Sequence, residues 1–200
     1  MKIAILVEGE TEMAFKSKLQ EFLKPRIERM PKLIFIPQEG RIPKGDKLRR
    51  IVENLLAGKN AYDAVIALTD VYTGTNDFTD AADAKAKMAA WVGNNPKFSP
   101  HAAQHDFEAW LLPFWSTIQQ LSGGNKSAPS GSPERVNHDN PPSYRIKEIF
   151  EQGKRRSYNK QRDALSILKK NNLMDAVNVC PELKAFLNTI LRLCGGDEIP

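Results

Sequence analysis

The amino-acid sequence predicts an α/β domain: a mostly parallel sheet flanked by helices, with a C-terminal helical subdomain packed on the core. Three observations carry that expectation. Short, nearly continuous apolar runs recur through the first half of the chain, helical periodicities lie between them, and beyond a polar stretch only helical periodicity remains. Strand, helix, strand, helix, strand, helix is the order that builds a parallel sheet by crossover connections.

The first run, Lys2–Val7, reads KIAILV, the pattern of a strand buried on both faces. A turn over residues 8–11 follows, then Phe15, Leu19, Phe22 and Leu23 recur at helical spacing until Pro25 and Pro31 end the helix. Residues 33–36 read as a second strand. Leu48, Ile51, Val52, Leu55 and Leu56 fit an amphipathic helix from Lys47 onward. Residues 64–68, AVIAL, form a third buried strand closed by Thr69 and Asp70, and an alanine-rich helix follows over residues 80–91. Residues 100–104 are expected as a short fourth strand, leading into an apolar helix over 107–115.

Residues 122–143 change composition sharply, to Gly, Ser, Pro and Asn with Ala128 and Val136 as the only apolar residues, and predict a long flexible loop. It separates the α/β core, residues 1–121, from a basic helical subdomain, residues 144–200. Helical patterns there cover 144–152 and 160–171. A last helix carries Leu183, Phe186, Leu187, Ile190 and Leu191, with Pro181 in its first turn and Gly195 past its end.

Composition excludes several classes. With 200 residues, 41% hydrophobic and 26% charged, the chain buries a real core and is neither disordered nor fibrous. Its two cysteines, Cys180 and Cys194, exclude a disulfide scaffold and a Cys-based zinc cluster. No apolar run approaches the ~20 residues of a membrane span, and the short N-terminal run lacks a signal-peptide pattern. The expectation is a soluble, cytoplasmic protein without membrane contact.

The net charge of +5 is concentrated: residues 144–170 hold nine Lys and Arg against three acidic residues. A second basic group comprises Arg41, Lys44, Lys47, Arg49 and Arg50, opposed by Asp46. Clustered positive charge attracts polyanions. Nucleic acid is therefore the expected partner, with Arg41, Lys44, Lys47, Lys154, Arg155, Arg156 and Lys160 as candidate phosphate contacts; the bland reading is two solvated helix faces. Gly40 to Lys47 is not a phosphate-binding P-loop, because Asp46 intervenes after Gly45, Leu48 stands at the hydroxyl position and Pro43 lacks an amide donor.

Sites in open α/β sheets form at the carboxyl ends of strands. Glu8 follows the first strand and Asp70 the third. Two carboxylates on neighbouring strand ends repel, and a hard divalent cation, Mg²⁺ or Mn²⁺, is the usual remedy. Helix capping is the alternative for both. Asp106 and Glu108 open the apolar segment after the fourth strand, where helix-dipole stabilisation competes with a site role. His105 is a candidate base or a polar group at the helix entrance.

These residues fall into a recognisable order. Residues 5–12, with Val7-Glu8-Gly9 after a strand, resemble the first motif of the Toprim (topoisomerase–primase) superfamily, and residues 67–72 resemble its second, Asp-x-Asp, motif. The set is most similar to a bacterial family of small Toprim-like proteins. That family has Asp-x-Tyr at the second motif (here Asp70-Val71-Tyr72), then a His-(Asp or Glu)-Phe-Glu-Ala-x-Leu block (His105 to Leu111) and a Ser-Pro-Glu-x-(Ile or Val)-Asn stretch (Ser132-Pro133-Glu134-Arg135-Val136-Asn137). Ser157-Tyr158-Asn159-Lys160 and Cys180-Pro181-Glu182-Leu183 also fit its C-terminal pattern.

The resemblance implies a Toprim-like fold and Mg²⁺- or Mn²⁺-dependent phosphodiester hydrolysis of DNA or RNA. It also implies a phage-defence setting with an ABC/SMC-like ATPase as partner. Glu8, Asp70 and Glu108 would be the catalytic carboxylates, and Glu8, Asp70, Asp106 and Glu108 the metal-binding set. Tyr72 stands where the second Asp of Asp-x-Asp would bind metal, and Asp77, Asp106 or Glu108 would then supply the missing charge. The alternative is a non-catalytic Toprim-like module that binds a partner ATPase or nucleic acid.

Overall fold

The computed structural model describes residues 1–71, 77–135, 140–153 and 155–200. Four strands, β1 (Lys2–Val7), β2 (Lys32–Pro37), β3 (Ala64–Asp70) and β4 (Phe98–Ala103), form one sheet in the order β2-β1-β3-β4, parallel throughout. Helices α1 (Glu10–Leu23), α2 (Gly45–Leu56) and α3 (Ala81–Val92) connect them. The architecture is mixed α/β with helices on both faces of a parallel sheet, consistent with a Toprim-like fold.

The apolar runs of β1 and β3 follow from that layering. Side chains alternate between faces, so each strand must satisfy two cores. Ile3, Ile5 and Val7 of β1 and Ile66 and Leu68 of β3 pack into one cluster with Phe15, Leu19 and Leu23 of α1. Ala4 and Leu6, with Val65 and Ala67, pack into a second cluster with Leu48 and Val52 of α2 and Met88 and Val92 of α3. A one-residue slip of β1 would exchange the two sets of side chains between faces.

β4 begins at Phe98, earlier than the expected residue 100, and ends at Ala103. Pro100 sits inside it because β4 is an edge strand, where a missing N–H is tolerated. The apolar segment expected as one helix over 107–115 is instead a 3-10 helix, Phe107–Phe114, followed by α4 (Trp115–Ser122). Pro113 lies within the 3-10 turns, where it cannot donate an α-helical hydrogen bond.

The polar stretch holds a 3-10 turn, Pro133–Arg135. Beyond it come α5 (Pro142–Gly153), α6 (Lys160–Lys170), α7 (Leu173–Val177) and α8 (Pro181–Leu193). Sequence periodicity had not indicated α7. These helices belong to the cluster on the α1 face of the sheet: Phe15 of α1 meets Phe107 (centroids 5.5 Å apart), Trp110 (6.2 Å) and Phe186 of α8 (6.4 Å). Cys180 is buried and Cys194 half-buried, both as free thiols. Among the described residues no helix is long and apolar enough to cross a membrane.

Candidate metal centre

The strand order reverses between β1 and β3: the chain leaves β1 toward β2 on one side, then returns to place β3 on the other. That topological switch point opens a crevice at the carboxyl ends of the two strands. Val7 is paired with Leu68, so Glu8 and Asp70 emerge side by side into it. The Asp70 N–H donates to Glu8 Oε1 at 3.2 Å, and the Thr69 hydroxyl donates to the same oxygen. The loop after β2 supports Glu8 from the other side: the Gly40 N–H donates to its backbone oxygen at 2.8 Å and the Ile42 N–H to its side chain. Capping of the following helix is not what Glu8 does.

Glu108, from the 3-10 segment, is fully buried in the same crevice. Its Oε1 accepts from the Thr11 hydroxyl (3.4 Å) and the Tyr158 hydroxyl (3.4 Å) and lies 3.6 Å from Lys160 Nζ. Asp106 precedes that segment, yet it makes no side-chain cap. Its Oδ2 accepts the Ser143 N–H of α5 at 3.0 Å. Asp106 Oδ1 and Glu108 Oε2 are buried without a hydrogen-bond partner among the described residues.

Sequence reasoning did not assign a fifth carboxylate, Glu12. It occupies the third position of α1 and reaches back to the Gly9 N–H at 3.2 Å. That spacing reads as an ordinary helix-start signal, which conceals that the same side chain is buried beside Glu8 and Glu108. Thr11, Thr69, Ser143 and Tyr158 also enter the site, and only the ends of β1 and β3 could have signalled Thr11 and Thr69.

The five carboxylates strain one another. Burial, then repulsion from Glu108 and Glu8, pushes Glu12 up to about 7. Burial and Glu108 push Asp106 up to about 7 against the Ser143 N–H. Asp70 stands well above the usual carboxylate range, first through burial and then through Glu12, Glu8, Asp106 and Glu108. Burial also raises Glu8, partly offset by Thr69, the Asp70 and Ile42 amides and Arg41. Burial disfavours the Lys160 ammonium, but Glu108, Asp106, Asp70 and Glu12 outweigh that and hold its pKa above the ordinary lysine value.

A hard divalent cation fits this donor set, since all candidate ligands are oxygens and two of them are buried and unpartnered. Among the described residues, no three His, Cys, Asp or Glu side chains are grouped so as to hold a metal as they stand. Mg²⁺ does not require such a cage, because it keeps several waters and is commonly held by one or two carboxylates.

The remaining sequence-predicted residues divide. Arg41 lies near Glu8 and, with Lys44, near Asp77: Lys44 Nζ is 2.5 Å from Asp77 and Arg41 3.9 Å. Lys47 is exposed on α2. Arg155 donates to the Gln120 carbonyl oxygen at 3.1 Å. Arg156 is held at 2.5 Å by the buried Asp163 and lies over the Phe150 ring. His105, in a left-handed backbone conformation (φ 70°), lines a separate cavity of about 460 Å³ with Gln104, Arg135 and Glu182. Tyr72 and Lys154 lie outside the described residues, as do Val136 and Asn137 of the Ser-Pro-Glu stretch.

Fold and site together define a parallel α/β protein with an acidic crevice at its switch point. The chain belongs to the family described as Domain of unknown function (DUF4276), whose model matches residues 7–191. No curated protein matches its sequence. The C-terminal region of the Burkholderia pseudomallei OLD protein shares its fold, with a TM-score of 0.56 at 13% identity over 96% of this chain and 98% of that one. The C-terminal region of the Xanthomonas campestris pv. campestris OLD protein is also similar, with a TM-score of 0.46 at 12% identity over 95% of this chain and 92% of that one.

Proposed function

We propose that this protein is a Toprim-like, Mg²⁺- or Mn²⁺-dependent nuclease that hydrolyses phosphodiester bonds of DNA or RNA. The observation that carries the reading is the group of five carboxylates at the strand ends, two of whose oxygens are buried without a partner. Stability alone does not favour such an arrangement, since each buried carboxylate raises the cost of ionising the next.

Asp70 and Glu8, with Asp106 and Glu108, would hold the cation. A bound cation would polarise the scissile phosphate and lower the pKa of its water. The chain's own groups supply the rest. Thr69 and the Asp70 amide orient Glu8, whose pKa, raised by burial, favours its taking up a proton. Lys160 sits at the edge of the crevice, where its ammonium can meet a phosphate oxygen while offsetting Glu108. Arg41, on the opposite side near Glu8, extends that positive rim.

The test is cleavage of labelled DNA and RNA with Mg²⁺ or Mn²⁺, by wild type and Asp70→Ala. Asp70→Ala is expected to lose cleavage by at least about 100-fold while keeping its fold by circular dichroism. Retained cleavage in that variant sinks the reading.

A second reading is a Toprim-like module that acts in a larger assembly, with an ABC/SMC-like ATPase as the partner. Two observations favour it: among the described residues no three ligands are preassembled, and the similar fold of the Burkholderia pseudomallei protein is a C-terminal region. Cleavage that appears only when the partner is added would select it. A defence role belongs with this reading.

A further inference from the structure

A cavity of about 400 Å³ opens beside the acidic crevice, between the starts of α5 and α6. Asn140, Ser143, Tyr144, Lys147, Tyr158 and Lys160 line it. Three of these also touch the crevice: the Ser143 amide binds Asp106, and Tyr158 and Lys160 both reach Glu108. The cavity and the carboxylates therefore share a wall.

Tyr144 is the one exposed aromatic side chain among the described residues, at 46%. Three residues on along α5, Lys147 shares its face, and its ion pair with Glu151 is long, 3.7 Å, and solvent-exposed. Tyr158, across the cavity, is half-buried and packs on Phe150, 5.4 Å between centroids. The cavity thus holds an exposed ring together with the Lys147 and Lys160 ammonium groups. It matches a ligand with a flat π-face and an attached anion.

We infer that this cavity is a nucleotide subsite: one unstacked base of a single strand lies on Tyr144, and its phosphate is met by Lys147 and Lys160. The inference deepens the nuclease reading and rests on it. A base held there places the adjoining phosphodiester at the shared wall, against Glu108 and Asp106. A duplex keeps its base faces covered, so the subsite selects single-stranded or locally opened substrate. Lys160 then serves both sides of the wall, offsetting Glu108 and contacting phosphate.

The experiment is calorimetric titration of the full chain in EDTA with adenosine monophosphate, ribose phosphate and inorganic phosphate, so that no cleavage intervenes. Adenosine monophosphate is expected to bind about tenfold more tightly than the two base-free anions, the increment of one stacked base. Tyr144→Ala removes that margin, Tyr144→Phe keeps it, and Lys147→Ala weakens all three ligands alike. Because Tyr144 is exposed, the melting temperature of Tyr144→Ala stays at the wild-type value.

Equal binding of the three anions overturns the inference, as does a margin unchanged in Tyr144→Ala. An acidic peptide that displaces adenosine monophosphate with equal affinity also overturns it, and makes this a protein-docking pocket. The base-dependent margin in a chain that cleaves neither DNA nor RNA with Mg²⁺ or Mn²⁺ leaves the subsite standing and defeats the nuclease reading. Cleavage that requires Asp70, without any base-dependent margin, does the reverse.

Discussion

Two groups of buried carboxylates in this molecule are treated in opposite ways. In the C-terminal helices, Asp163 is fully buried, yet Arg156 (2.5 Å), the Asn159 N–H (2.7 Å) and Arg162 (3.1 Å) all donate to it. Burial would raise its pKa, but those donors hold it below the usual carboxylate range. Glu134 also accepts donors, the Trp110 indole N–H at 3.0 Å and the Glu182 and Leu183 amides at 3.1 and 3.3 Å, although burial outweighs them and leaves its pKa raised. In the crevice, by contrast, Glu12, Asp70 and Asp106 face other carboxylates, and repulsion adds to burial in raising their pKa values. Burial does not separate the two groups, because Asp163 and Glu108 are both fully buried. The partners make the difference: donors turn a buried charge into a structural joint, and like charges raise the cost of ionising it.

The contrast is most easily broken at Asp163. Asp163→Ala leaves the Arg156 and Arg162 guanidinium groups without their acceptor and uncaps the Asn159 amide. It is expected to cost about 3 kcal/mol in urea unfolding, the low end for breaking a buried ion pair because Arg162 is half exposed. A loss below about 1 kcal/mol would place Asp163 among ordinary surface pairs.

Neutralising the crevice has the opposite sign. Asp106→Asn keeps the acceptor for Ser143 and removes one of the repelling charges. At pH 8 it should stabilise the chain by roughly 1 kcal/mol, about 2–4 °C in melting temperature. The pH dependence follows from the direction of the shifts. Glu12 and Asp106 have folded-state values near 7, above their unfolded ones. Their contribution is complete below about pH 4 and lost as pH rises through 7. The advantage of Asp106→Asn therefore shrinks at pH 5 and vanishes below about pH 4.

His101 acts at the other end of the scale: burial, Lys85 and Arg192 depress it to about 4. The stability it contributes is present above about 6.5 and lost as pH falls toward 4. Wild-type stability without metal should peak between these limits, and thermal melts from pH 4 to 8 measure it. If the crevice binds a divalent cation, Mg²⁺ at pH 8 should raise the wild-type melting temperature by a few degrees and that of Asp70→Asn by less than one. Equal shifts would mean that the cation binds elsewhere.

Much of this was legible in the sequence. The runs at Lys2–Val7 and Ala64–Asp70 announce strands buried on both faces, and their last residues announce the crevice. The five apolar positions of α8 also stand at ideal spacing. The 3-10 segment was not legible, because Phe107, Ala109, Trp110, Leu111, Leu112 and Phe114 are buried all round and leave no polar face to set a period. Glu134 was hidden by its setting, a polar loop whose acidic residue looked solvated until Trp110 and the start of α8 closed on it. Glu12 was hidden by its second occupation at the start of α1.

The smallest expected effect tests the border between the two regions. Lys160 is half exposed and is the only ammonium within ion-pair distance of Glu108 among the described residues. It lowers the pKa of both Glu12 and Asp106. Lys160→Gln should therefore raise the pH at which stability is lost, and destabilise the chain at pH 8 by no more than about 0.5 kcal/mol, since water screens the exposed ammonium. At pH 5, with Glu12 and Asp106 protonated, the difference should shrink. A cost at pH 5 equal to that at pH 8 would show that Lys160 acts by packing its stem and not by charge. The crevice would then owe its field to the carboxylates and to Arg41 alone, and the step from acidic site to basic rim would be sharper than the shared wall at Tyr158 and Lys160 suggests.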